Sequence, residues 1–74
     1  MGFESYETGV DHFKGQGFEV WHTSATPGDP NHIVGTNDLR TPGQKGPAGT
    51  GPTKEAAIWS AWETFEENSA AFGR

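Results

Sequence analysis

There is no cysteine among the 74 residues, only one leucine, and half as many Lys and Arg as Asp and Glu. Each scarcity excludes something. Without cysteine there is neither a disulfide framework nor a thiolate metal site. Small secreted domains usually rely on such staples, so the cytoplasm is the expected compartment, host cytoplasm if the chain is phage-encoded. No apolar run approaches the roughly 20 residues of a membrane span. Met1 to Glu4 lacks the basic start and apolar stretch of a signal peptide. Tyr6 stands where a myristoylation motif wants Ser or Thr. The net charge of −5 argues against a general nucleic-acid binder, which would present a basic face.

What is present is one small domain, residues 1–74. Glycine and proline are concentrated in its middle. Ser24 to Pro52 holds all five prolines and six of the eleven glycines. The large apolar residues are few and mostly aromatic, so aromatics fill the core, at roughly 150–250 Å² each. That suffices for a thin core between a helix and a small sheet, and not for a sealed cavity around a large cofactor. No cofactor is expected.

Thr53 to Phe72 (TKEAAIWSAWETFEENSAAF) reads as an amphipathic helix. Ile58, Ala61, Trp62, Phe65, Ser69 and Phe72 lie along one stripe, with Trp59 at its border. Pro52 suits the first turn, and Gly51 or Thr53 the cap. Phe18 to Thr23 (FEVWHT) alternates as a strand. Phe18, Val20 and His22 point one way, and Glu19, Trp21 and Thr23 the other. His32 to Thr36 (HIVGT) reads as a second strand, paired antiparallel with the first across a Pro27–Gly28 turn closed by Pro30. Phe3 to Phe13 is ambiguous. Phe3, Tyr6, Val10 and Phe13 have helical spacing, but Gly9 lies inside and no cap is evident. We read it as an extended arm, with a short helix as the alternative. Residues 41–52 read as a flexible loop, with Arg40 just before it and Lys45 within it as its candidate contact residues. The expected fold is α+β, a small antiparallel sheet of two to three strands packed on one carboxy-terminal helix, with a long Gly/Pro-rich loop.

Gly46 to Lys54 (GPAGTGPTK) is similar to a phosphate-binding P-loop at Gly46 and Gly51. Pro52 replaces the lysine that would neutralise phosphate, and no strand is expected before the loop. His12, His22, His32 and Asp11 lack metal-ligand spacing, although His22 and His32 can meet across paired strands. No metal site is expected. Ser5, Ser24, Ser60 and Ser69 lack the context of a nucleophile. Glu63, Glu66 and Glu67 share a helix face and need a cleft to do acid/base work. No catalytic residue is assigned.

The remaining constellation is Trp21 and Trp59 with the acidic residues Glu63, Glu66 and Glu67. Tryptophan is the residue most enriched at interface hot spots. These five residues point to a partner protein with a basic, apolar groove. Gly51 to Trp62 (GPTKEAAIWSAW) resembles the carboxy-terminal signature of the Lar-type restriction-alleviation family through Thr53, Glu55, Ala57, Ile58, Ala61 and Trp62. Proteins of that family are small, often phage-borne, and hold zinc through paired cysteines, which this chain lacks. The same helix is similar to the last helix of double-stranded-RNA-binding domains, without their lysine cluster.

The expectation is thus a non-enzymatic protein-binding module, of the kind a phage uses as an accessory or inhibitor of host proteins. Its oligomeric state is expected to be a monomer or weak homodimer. The first alternative is a small virion-type assembly protein whose Phe3–Phe13 arm packs on a neighbouring copy. The second is a single-stranded nucleic-acid binder that uses Trp21 and loop lysines.

Overall fold

The computed structural model describes residues 2–24, 31–41 and 43–72, without the side chain of Phe72. The expected turn at Pro27, Gly28 and Pro30 lies outside them. The chain runs α1 (Tyr6–Gly15), β1 (Phe18–Ser24), β2 (His32–Asp38), β3 (Gly49–Gly51) and α2 (Lys54–Glu67), followed by a 3-10 turn over Ser69–Phe72. The three strands form one antiparallel sheet in the order β1-β2-β3. The fold is α+β as expected, with a second helix at the amino-terminal end.

That second helix corrects the extended arm read for Phe3 to Phe13. Ser5 is the cap: its side chain accepts the Thr8 N–H at 3.2 Å, and its own backbone is extended. Gly9, which argued against a helix, sits at a close approach between α1 and its neighbours. A Cβ there would stand 2.8 Å from Ile58 Cδ1 and 2.9 Å from Phe3 Cδ2. The bare Cα lets α1 settle onto α2. The turn at Gly17, with φ +84°, then starts β1.

Register fixes what each strand presents. Phe18 pairs with Asp38, Trp21 with Gly35 and Ser24 with His32, one residue to one residue throughout. Phe18, Val20 and His22 therefore share a face with Val34, Thr36 and Asp38. Both helices cover this face. Phe13, Phe18, Val34, Ala57, Ile58, Ala61 and Phe65 form the buried core, and Phe3, Tyr6, Val10, Val20 and Trp62 pack around it. The buried Thr36 hydroxyl donates to the Pro47 carbonyl at 2.7 Å, so it brings no unpaired polar atom inside.

Residues 41–52, read as loop, contain β3. Thr50 pairs with Ile33 and Gly51 with His32, and Lys45 bridges to Asn37. Further toward Asp38, the Asp38 N–H donates to Gln44 O and the Gly46 N–H to Thr36 O, both at 2.9 Å. Gly49 places β3 directly against α2, since a Cβ there would overlap the Ala61 nitrogen and the Ala57 oxygen. Three residues rich in glycine carry no alternation, which is why this strand has no sequence signature.

α2 starts at Lys54 with Thr53 as its cap, so Pro52, expected in the first turn, instead precedes the cap. The Thr53 side chain accepts the Ala56 N–H at 3.1 Å. The helix ends at Glu67, earlier than the expected Phe72. Asn68 caps it, donating from its side chain to Thr64 O at 3.0 Å. Ile58, Ala61 and Phe65 of the expected stripe are buried, and Trp62 and Ser69 are half-buried.

Candidate functional site

Among the described residues, no helix covers the opposite face of the sheet. This face consists of Glu19, Trp21 and Thr23 from β1, Ile33, Gly35 and Asn37 from β2, and Thr50 from β3. Trp21 stands at its centre with 41% of its surface exposed. Its indole lies across Gly35: a Cβ built there would fall onto Cζ2, Cε2 and Cη2 of the ring. Any other residue at position 35 would push the ring off the sheet. Gly35 thus seats Trp21 flat on backbone, a rigid apolar plate with one side to solvent.

Polar groups border this plate. Glu19 and Thr23 are exposed and Asn37 is half-buried, while the neighbouring Ile33 is apolar and half-buried. Lys45, bridged to Asn37, joins the same face. An open depression of about 390 Å³ runs beside it, lined by Glu19, Asn37, Asp38, Leu39, Gly43, Gln44 and Lys45. Arg40 is exposed in the turn after β2, where its N–H donates to Asp38 Oδ1 at 2.9 Å.

The structure separates the five residues that the sequence grouped. Trp21 lies on the open face. Trp59 belongs to α2, on the other side of the sheet, half-buried with its ring edge-on to Phe3 at 5.1 Å and 81°. Glu63, Glu66 and Glu67 are exposed on α2. Trp21 and the acidic helix therefore form two surfaces. Sequence reasoning missed Gly35 and Thr50. The signal for Gly35 was a glycine inside the β-branched run HIVGT, which marks a close approach.

A second cluster sits at the end of the sheet where both helices begin. His22 Nε2 and His32 Nδ1 are 2.8 Å apart, with ring planes 16° apart and centroids 5.0 Å apart. The short nitrogen contact and the longer centroid spacing set the rings edge to edge, one ring N–H donating to the other nitrogen. The Tyr6 ring meets His22 at 5.9 Å, and Lys54 Nζ lies 5.2 Å above Tyr6. Burial, and then the neighbouring Glu7 carboxylate, raise the Tyr6 phenol pKa above its ordinary value. The expected meeting of His22 and His32 across the strands does occur. Among the described residues, no group of three or more His, Cys, Asp or Glu is gathered to hold a metal ion.

His12 is apart from this pair. Its Nδ1–H donates to Thr8 O at 2.8 Å, and its ring packs on Phe3 at 4.9 Å and Trp62 at 5.4 Å. Phe3, Tyr6, Val10 and Phe13, proposed as an arm for a neighbouring copy, pack against this chain's own core. Gly46 to Lys54 runs into β3 and the Thr53 cap. Among the described residues, no helix is long and apolar enough to cross a membrane.

No family model, curated protein or solved structure matches the chain.

Proposed function

We propose that this chain is a non-enzymatic protein-binding module that docks through the open sheet face around Trp21. The observation that carries the reading is the indole itself, exposed yet held flat by Gly35. A large aromatic fixed in one orientation loses little conformational entropy on binding, and aromatics of this kind anchor interfaces. Glu19 beside the ring, and a net charge of −5, favour a partner whose apolar pocket has a basic rim. Glu63, Glu66 and Glu67 lie on the other side and act at a distance, by steering a basic partner toward the chain.

The likeness of Gly51 to Trp62 to the restriction-alleviation helix directs the reading to a phage-type accessory or inhibitor. Its target would be a host defence or nucleic-acid-handling protein. Immobilised chain, exposed to nuclease-treated bacterial lysate, tests the site. The expected result is one stoichiometric protein, held by the native chain and lost with Trp21→Ala. A parallel Trp59→Ala/Glu63→Lys chain alters only the helix side and is expected to retain it. Retention by Trp21→Ala, or loss only in the helix-side variant, moves the site away from the open face.

A further inference from the structure

The two edges of the sheet are built differently. β3 is three residues long, with Pro47 and Pro52 close by. Such an edge offers little for another strand to pair with. β1 is seven residues long, FEVWHTS, without proline, lysine or bulge. Trp21 to Ser24 are exposed on both faces. Proline, lysine and a bulge, three of the devices that blunt an edge strand, are thus absent from β1, and Glu19 is its single charge.

The bonding pattern shows which groups β1 turns outward. The Leu39 N–H donates to Gly17 O at 2.9 Å, one step beyond the Phe18–Asp38 pair. Bonded pairs in an antiparallel ladder recur every second residue, so Glu19, Trp21 and Thr23 also bond to β2. On the far side of β2, Thr36 and Asp38 bond toward the β3 connection, as this alternation requires. Val20 and His22 therefore direct their backbone N–H and C=O away from the sheet.

We propose that β1 pairs antiparallel with β1 of a second copy about a two-fold axis at Trp21, joining the two sheets into one. Trp21 is the midpoint of Phe18–Ser24, so this register gives the longest overlap. It places Val20 opposite His22 of the second copy, and each such pair exchanges both of its N–H···O=C bonds. Trp21 meets its own copy at a non-hydrogen-bonded position, where side chains come closest. Glu19, the only charged residue of β1, falls opposite Thr23 of the second copy and not opposite another Glu19. Parity, length and charge all suit this one symmetric register. The contact is small and both copies carry a charge of −5, so association is weak and strengthens as salt screens the repulsion. This pairing uses the strand edge and does not rest on the partner reading above.

Sedimentation equilibrium of the full chain, from about 10 µM to 1 mM, tests it. The mass is expected to climb from 8.0 kDa toward twice that value. Val20→Pro removes an outward N–H that the chain's own ladder does not use, and is expected to weaken association about tenfold or more. Thr23→Glu, facing Glu19 of the second copy, is expected to weaken it several-fold. Thr23→Lys is expected to strengthen it, with the gain fading in high salt. The Thr23 pair leaves every backbone group intact and decides the matter should Val20→Pro fail to fold. A chain that stays monomeric to 1 mM overturns the proposal. So does a dimer indifferent to both Thr23 variants.

Discussion

Phe18, Val34 and Thr36 on the helix-bearing face of the sheet are sealed from water, whereas Trp21, Thr23 and Thr50 on the other face are exposed. Both faces come from the same three strands, and both carry a large aromatic from β1. Phe18 is surrounded, its ring edge-on to Phe13 at 6.0 Å and to Phe65 at 5.6 Å. Trp21 has backbone beneath it and solvent above. Residue type does not separate them, because both are large and apolar. Parity along the strand does, together with where the two helices lie. The closed face holds the buried core, and the open face is the surface that the proposed docking uses.

The largest expected effect lies on the closed face. Phe18→Ala deletes a fully buried ring from a core of seven residues. Such truncations cost about 3–5 kcal/mol, against a total of about 5–15 kcal/mol for an ordinary domain. A chain this short sits toward the lower end. Urea unfolding followed by far-UV circular dichroism is expected to show a midpoint close to zero denaturant. A midpoint like that of the native chain would mean that the helices do not seal this face.

Gly35→Ala is the sharper test of the open face, and its effect is smaller. The new methyl overlaps the Trp21 indole, which has solvent on its other side and can lift away. The cost is expected at about 1–3 kcal/mol, the range for mild overpacking. The same variant is expected to lose partner capture together with Trp21→Ala, because the indole loses its seat. A loss as large as that of Phe18→Ala would erase the distinction between the faces.

The closed face was legible in the sequence and the open one only in part. Phe18, Ile58, Ala61 and Phe65 announce themselves by alternation or by helical spacing, and all are buried. Trp21 was placed opposite Phe18 by the same alternation. What covers a face is a tertiary matter, so the split between Trp21 and Trp59 was not readable. Gly9 shows the limit at its clearest. Intrinsic propensity counts it against a helix, yet its bare Cα lets Ile58 and Phe3 pack close without shifting. Leu39, the only leucine, looks like core and is 61% exposed in the turn after β2. β3 shows a different limit: its bonds come from backbone alone, and no side-chain pattern records them.

The smallest expected effect comes from the end of the closed face, where Tyr6 leans on His22 beside the start of α2. Its pKa is raised in the fold, first by burial and then by Glu7. The folded state therefore holds the phenolic proton more tightly than the unfolded chain does. The sign follows from linkage: where the native state binds more protons, stability falls as pH rises. The contribution is complete below the ordinary tyrosine pKa of about 10 and is lost as pH climbs through the raised value. Tyr6→Phe keeps the ring against His22 and under Lys54 but has no proton to lose. Melting temperatures of the two chains are expected to run parallel up to about pH 10 and then to diverge, with the native chain falling faster. Parallel curves at every alkaline pH would mean that Tyr6 is as accessible to water in the fold as in the unfolded chain, and that the closed face does not extend to this end of the sheet.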